Sequence, residues 1–384
     1  GGTAQFTMAD GSISPVTDND IDLGTASLKY KSFFAGLTDT ENFKVNGGQG
    51  DDGQVLTSTG SGVAWEDAAG GGPTFKTFGT DSIMVGDNAT GTIDAANYNT
   101  GLGVDIFADL TTGDNNTAVG YSSLPDLTTG SNNTGVGYTA LFKNTTASNN
   151  TSVGYDTLFD NTTGHSNTAI GVSALANNTT ALGNTAVGYQ SLLTATTATE
   201  NTAVGYQAGV AITTGSGNNL FGQQSGDAIT TGANNVCFGS FSMDLTAGVT
   251  GSANVTVGNS TMRQMTTGHS NSGLGNGVFV DNTTGILNTA MGSTAQANTT
   301  TGTRNTAVGA ETLNTNTTGE QNTAVGVSAL TSSTTVSGNT GVGFQAGQAV
   351  TTGGGTTAVG SEAGELITTG NFNTVIGVVA GSNI

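Results

Sequence analysis

The feature that most constrains this chain is a 17-residue period that keeps phase for about 300 of its 384 residues. The string Asn116-Thr117-Ala118-Val119-Gly120 returns as Asn133-Thr134-Gly135-Val136-Gly137 and again from Asn150, Asn167, Asn184 and Asn201. Extended both ways, the register has eighteen starts between Ser82 and Asn373, and every step is 17 residues except one of 19 between Asn235 and Asn254. Numbering slots from 0 at each start, slot 0 is Asn in all copies but Ser82 and Thr356, slot 3 is always apolar, and slot 4 is always Gly. Slots 12 and 13 are Thr-Thr in nearly every copy, as in Thr162-Thr163. A fixed period of this length is the signature of a repeat architecture, in which each unit stacks on the next.

Gly, Thr and Asn dominate the unit and good helix formers are scarce, so the repeat is not α-helical. The residues predict an all-β fold, a β-solenoid or β-roll of about eighteen 17-residue coils, each with two or three short strands and tight corners. Thr and Val suit a pleated strand. The invariant glycine, as at Gly120, Gly137 and Gly154, marks a corner that needs positive φ or close approach of another backbone. Asparagine at a fixed corner, as at Asn116, Asn133 and Asn150, tolerates the left-handed region and can hydrogen-bond from coil to coil. At about 4.8 Å per coil, the rod is on the order of 85 Å long.

Slot 8 is Leu in Leu124, Leu141, Leu158, Leu175, Leu192, Leu313 and Leu330 but Gly in Gly209, Gly226, Gly347 and Gly364. In the glycine copies slot 11 becomes Ile212, Ile229, Val350 and Ile367, where leucine copies mostly carry a polar residue such as Asn144 or Asn161. That exchange predicts that both slots fill one interior space at roughly constant volume. Each coil then offers only two or three sizeable apolar side chains. The expectation is a homotrimer, intertwined or side by side, in which three chains share a core.

Composition closes off other classes. With 62 Gly but 3 Pro and no Gly-X-Y period the chain is not collagen-like. A net charge of −20 argues against a nucleic-acid partner. No apolar run is long enough for a membrane-spanning helix, so no membrane insertion is expected. A single Cys excludes an intrachain disulfide framework. The chain opens on Gly1-Gly2, with neither Met nor a signal-type apolar region, so targeting is not read from it.

The strings NTAVGYQSL at Asn184–Leu192 and NTAVGYQAG at Asn201–Gly209 are similar to the short Asn-x-x-[Val/Ile]-Gly repeats of trimeric autotransporter adhesin heads, which form left-handed β-rolls. They resemble still more the head repeats of bacteriophage tail fibres. Asp20–Gly36 resembles an Asp-Leu-Gly turn and basic-aromatic strand of phage fibre proteins, and Gly50–Asp67 a segment ahead of distal fibre domains. The 17-residue coil is longer than the adhesin-head unit, and the closing Gly-Ser-Asn-Ile carries no anchor barrel or heptad stalk, which counts against an autotransporter. The resemblance implies a virion or extracellular location, attachment of the N-terminal region to a tail or baseplate protein, and a host surface glycan or protein as the distal partner.

Three parts are expected: 1–45, a small β-rich attachment or collar segment; 46–81, a glycine-rich connector with a short strand near Trp65; and 82–384, the rod. The extra residues between Gly239 and Gly251 read as a corner bulge or a receptor-contacting loop.

Slot 5 is the candidate receptor-binding column: Tyr121, Tyr138, Tyr155, Tyr189 and Tyr206, with Val172 interrupting and Phe344 returning later. Stacked rings with hydroxyl tips suit sugar rings; the alternative is a structural stack at a chain–chain contact. His165 and His269 occupy one slot six coils apart and read as solvent-facing corner residues. Cys237 reads as a buried, inert thiol. The pairs Asp156/Asp160 and Glu362/Glu365 fall on variable slots with no cleft beside them. Catalysis, cofactors and metals are therefore not expected. Sequons such as Asn144, Asn161, Asn282 and Asn316 follow from the repeat composition. The expected function is a non-enzymatic phage tail fibre that attaches to a host surface; a bacterial adhesin or extracellular filament, or a structural spacer, is the alternative.

Overall fold

The computed structural model describes residues 96–244 and 248–381 together with six short strands that precede them. The chain divides into two compact units, Gly1–Gly72 and Pro73–Ile384. In the first, β1 (Phe6–Ala9) and β2 (Ser12–Pro15) form an antiparallel pair, and so do β3 (Gln54–Ser58) and β4 (Val63–Asp67). Trp65 therefore lies on a strand, opposite Leu56. The Asp20–Gly36 motif lies outside the described residues, as do 245–247 in the coil that is two residues longer than the rest.

The second unit is the solenoid. It opens with β5 (Phe75–Lys76), antiparallel to β6 (Ile83–Val85), and continues with β7 (Thr100–Val104), β8 (Thr117–Tyr121) and one strand per repeat, from β9 (Thr134–Val136) to β23 (Thr374–Ile376). The seventeen strands β7 to β23 stack in parallel through about sixteen turns. Register is strict: Thr168, Ala169 and Ile170 face Thr185, Ala186 and Val187. Each coil holds one strand, where two or three were expected. The remaining residues make turns, because the chain must reverse direction within 17 residues and still return to the same register.

Those turns are built on left-handed backbone at four slots. Slot 4 glycines have φ between 126° and 146°. Slots 6, 8 and 16 are also left-handed, occupied by such residues as Thr139 (φ 52°), Leu141 (56°) and Asn149 (63°). The slot 0 asparagines are not among the left-handed residues; the preceding slot 16 takes that conformation. Left-handed geometry costs a non-glycine residue about 1 kcal/mol. In return it aims the peptide N–H at the neighbouring coil: Thr139 N donates to Tyr121 O at 2.9 Å, Leu158 N to Ala174 O at 3.1 Å and Asn132 N to Asp114 O at 2.9 Å. The turns are thus hydrogen-bonded coil to coil, much as the strands are.

The slot 4 glycine is required on both of the grounds expected. At Gly154 (φ 142°) a Cβ would lie 2.5 Å from the carbonyl oxygen of Gly171, the equivalent glycine one coil on.

The interior is narrow and filled from slots 2, 7, 8 and 11. Ala169, Ala174 and Leu175 are fully buried within one coil, as are Leu124, Leu141, Leu158 and Leu192 above and below. The slot 8 and slot 11 exchange is geometric: a Cβ on Gly226 would sit 2.9 Å from Ile229 Cδ1, and one on Gly364 3.2 Å from Ile367 Cδ1. One chain closes this core by itself, so sharing a core among three chains is not what buries these leucines. Sequence reasoning underestimated the core because alanine at slots 2 and 7 supplies the packing that a wider interior would need from large residues.

Polar ladders run beside the apolar one. The slot 0 asparagines are buried and linked from coil to coil between Asn99 and Asn339. The Nδ2 of Asn116 donates to Asn99 Oδ1 (3.0 Å) and to Gly130 O (3.0 Å), while Asn99 Oδ1 also accepts from the main-chain N of Asn116 (2.8 Å). The slot 11 residues Asn144, Asn161 and Asn178 form a second buried ladder, with Asn161 Nδ2 donating to Asn144 Oδ1 at 3.1 Å and Asn178 Nδ2 to Asn161 Oδ1 at 3.3 Å. Burial without these bonds would be prohibitive, and the ladders satisfy most of these amides, the Nδ2 groups of Asn339, Asn373 and Asn282 being exceptions.

Candidate binding surface

The strand alternates in direction along its length. Slot 2 points inward, so slots 1 and 3 point outward, and slot 5 also emerges on the outside after the slot 4 glycine. Tyr121, Tyr138, Tyr155, Tyr189 and Tyr206 are accordingly 42–50% exposed. Their rings stack at the coil repeat: centroids of Tyr121 and Tyr138 are 5.2 Å apart, Tyr138 and Tyr155 5.1 Å, Tyr189 and Tyr206 5.2 Å, all within 14° of parallel. Val172 separates the two stacks. Gln190 and Gln207 flank the second, with Gln207 Nε2 donating to Gln190 Oε1 at 2.9 Å. Inside each stack ring faces cover one another, so the free surface consists chiefly of edges and a row of hydroxyls.

Slot 3 completes the outer face, a role that sequence reasoning did not assign to it. Phe238, Leu274 and Met291 are as exposed as the tyrosines, and Phe221 stacks on Phe238 with centroids 4.5 Å apart. The signal was present in the period: slots 1 and 3 flank the small, buried slot 2 on a strand, and alternation places them outside.

The other candidate residues are dispersed. His165 and His269 are exposed, each with Nδ1 near the hydroxyl of the following serine (3.3 and 3.2 Å). Cys237 is fully buried, its Sγ 3.4 Å from Met243 Sδ, and burial pushes its thiol up to about 11. Asp160 pairs with Lys143 at 2.7 Å, and Asp156 accepts a hydrogen bond from Thr139. Lys143 also lies 5.3 Å from the ring centroid of Phe159, which stacks on Phe142. Among the described residues no group of three or more His, Cys, Asp or Glu side chains is placed to hold a metal ion, and no helix is long and apolar enough to cross a membrane. The sequon residues Asn144, Asn161, Asn282 and Asn316 are fully buried.

One electrostatic feature sits at the insertion. Arg263 holds Asp244, with Nε to Oδ1 at 2.9 Å and the guanidinium nitrogen to Oδ2 at 3.3 Å. Burial, and then the Asp244 charge, push the Asp227 carboxyl up to about 6, and its Oδ1 has no hydrogen-bond partner.

Comparison with family models, curated proteins and solved structures returns no match for this chain.

Proposed function

We propose that this chain is a non-enzymatic, homotrimeric fibre protein, of the kind found in phage tails, that holds an extended rod outside cells and attaches it to a host surface. The observation that carries the reading is the continuous coil-to-coil bonding of the rod, through parallel strands, left-handed turns and the asparagine ladder. A structure bonded at every turn resists bending and local opening, which suits a spacer that must present its surface at a distance. Scarcity of basic residues adds to this. The repeats contain only Lys143, Arg263 and Arg304, so trypsin-like proteases meet few sites on an exposed rod. The N-terminal motifs favour a virion over a bacterial adhesin or filament.

Binding of the purified chain to host cells tests the reading. Attachment supports the fibre role, and failure to bind any candidate surface leaves a structural spacer. Tyr138→Ala with Tyr155→Ala assigns the site: lost attachment with an unchanged native mass places the receptor on the tyrosine column, and retained attachment places it elsewhere. A leader or anchor in the complete reading frame would favour the bacterial alternative.

A further inference from the structure

Two columns of side chains on the outside of the rod lose a rung in the same coil. In slot 5, Val172 stands between Tyr155 and Tyr189, and no other slot 5 residue of the repeats lacks an aromatic ring while having one in the coil on either side. Tyr138 covers one face of Tyr155 and Tyr206 one face of Tyr189, which leaves the faces turned toward Val172 open. The two tyrosines start two coils apart, about 10 Å. A ring placed midway would lie about 5 Å from each wall, within the range of aromatic stacking. Tyr138 and Tyr155 themselves stack at 5.1 Å. Val172 and Ile170 are both exposed and form the floor of this notch.

The second column is slot 6, which runs directly beside the first. The main-chain N of Ser173 donates to Tyr155 O at 2.8 Å, and that of Gln190 to Val172 O at 2.9 Å. One coil before the notch, Thr139 gives its hydroxyl to Asp156 Oδ1. One coil after it, Gln207 gives Nε2 to Gln190 Oε1 at 2.9 Å. Ser173, between them, continues neither bond. Asp156 Oδ2 is left as an acceptor and Gln190 Nε2 as a donor on the two sides of the missing rung.

The two gaps ask different things of one occupant. Open aromatic faces take an apolar ring face, whereas a carboxylate oxygen and an amide N–H take hydroxyls. A pyranose ring has both, with C–H groups on its faces and hydroxyls around its rim. We propose that the notch between Tyr155 and Tyr189 binds one hexopyranose ring of a host surface glycan. The ring takes the missing place in the tyrosine stack, and its rim hydroxyls donate to Asp156 Oδ2 and accept from Gln190 Nε2. An aromatic side chain of a protein receptor would fill the stack but leave both polar groups unanswered. The assignment rests on the tyrosine column as the receptor surface and adds to it the place and the class of ligand. Within each stack the rings cover one another, so the notch is where a ligand meets two ring faces at once.

Saturation-transfer NMR of the whole chain with the methyl glycosides of glucose, galactose, mannose and N-acetylglucosamine tests this, with attachment to host cells measured in parallel. At least one glycoside should receive saturation at its ring protons. Val172→Tyr follows the pattern of the neighbouring coils, keeps the β-sheet circular dichroism, and fills the rung; it should weaken that binding about tenfold or more. Ser173→Gln, which closes the polar column, should weaken it as well. Val327→Tyr, at slot 5 of a distant coil, should leave it unchanged. No glycoside bound by the parent, or equal binding by the parent and Val172→Tyr, overturns the notch. Binding of N-acetyltyrosinamide in place of the glycosides, lost in Val172→Tyr, overturns the sugar in favour of an aromatic side chain. Glycoside binding lost in Val172→Tyr while attachment to host cells persists upholds the notch and overturns the tyrosine column as the receptor surface.

Discussion

Asn167 Oδ1 accepts two hydrogen bonds from Asn184 one coil on, from the main-chain N at 3.0 Å and from Nδ2 at 3.2 Å. Asn184 in turn gives Nδ2 to Ala198 O at 2.8 Å and accepts from Asn201. Each ladder residue thus ties its own coil to both neighbours, and none of these groups can reach water.

Asn184→Ala should therefore cost more than a surface hydrogen bond. It orphans the buried carbonyl of Ala198 and removes the acceptor of Asn201 N, each worth about 1–3 kcal/mol when left unpaired. A loss of roughly 3 kcal/mol in denaturant titration is expected. Asn184→Asp should be no better, because a carboxylate brings no donor to Ala198 O.

The ladder has a defect where Thr356 occupies slot 0. Thr356 is fully buried, its main-chain N reaches Asn339 Oδ1 at 2.8 Å, and the Nδ2 groups of Asn339 and Asn373 have no partner. Thr356→Asn supplies the missing rung and should stabilise the C-terminal coils by about 1 kcal/mol. Slowed amide exchange in residues 340–376 is the readout.

The interior exchange can be run as a double-mutant cycle. Gly347→Leu crowds Leu330, whose Cδ2 would lie 2.8 Å from the added Cβ; Val350→Asn opens space beside it. Each alone should destabilise, by about 1–3 kcal/mol for the overpacked variant. The pair should recover about 1 kcal/mol or more as coupling, and strict additivity would show that the two slots do not share space.

Asp227 makes stability depend on pH. Its folded value, pushed up to about 6 by burial and by Asp244, lies above its unfolded value near 3.9. Such a group favours the folded state most below pH 4, and that contribution is lost as pH rises through 6. Because the carboxyl is only half-buried, solvent screening leaves about 1 kcal/mol of the effect. Asp227→Asn should flatten the stability profile between pH 4 and 7; an unchanged profile would reassign the dependence.

The period was legible because one-dimensional stacking repeats chemistry as well as geometry: a corner that admits only glycine at Gly120 admits only glycine at Gly137 and Gly154. The buried thiol of Cys237 and the slot 8 and slot 11 exchange were legible for a related reason, since a narrow interior constrains volume at each rung. The asparagine ladder was foreseen at slot 0 as a hydrogen-bonding device, but the left-handed backbone expected there lies one slot earlier. Asn116 and Asn149 differ by one slot in phase, and only their backbone angles separate the buried ladder position from the left-handed one.

By itself the sequence determined that this chain is an all-β array of 17-residue coils, with glycine at one corner and asparagine at another. Tertiary structure decided the number of strands per coil, which residues bend left-handed, and which way slots 3 and 5 face. The physical reason is that a period records which positions are equivalent, whereas direction depends on backbone torsion within the coil. Four left-handed residues per turn rotate the chain so that Leu158 points in and Tyr155 points out, although both sit at fixed places in one apolar repeat.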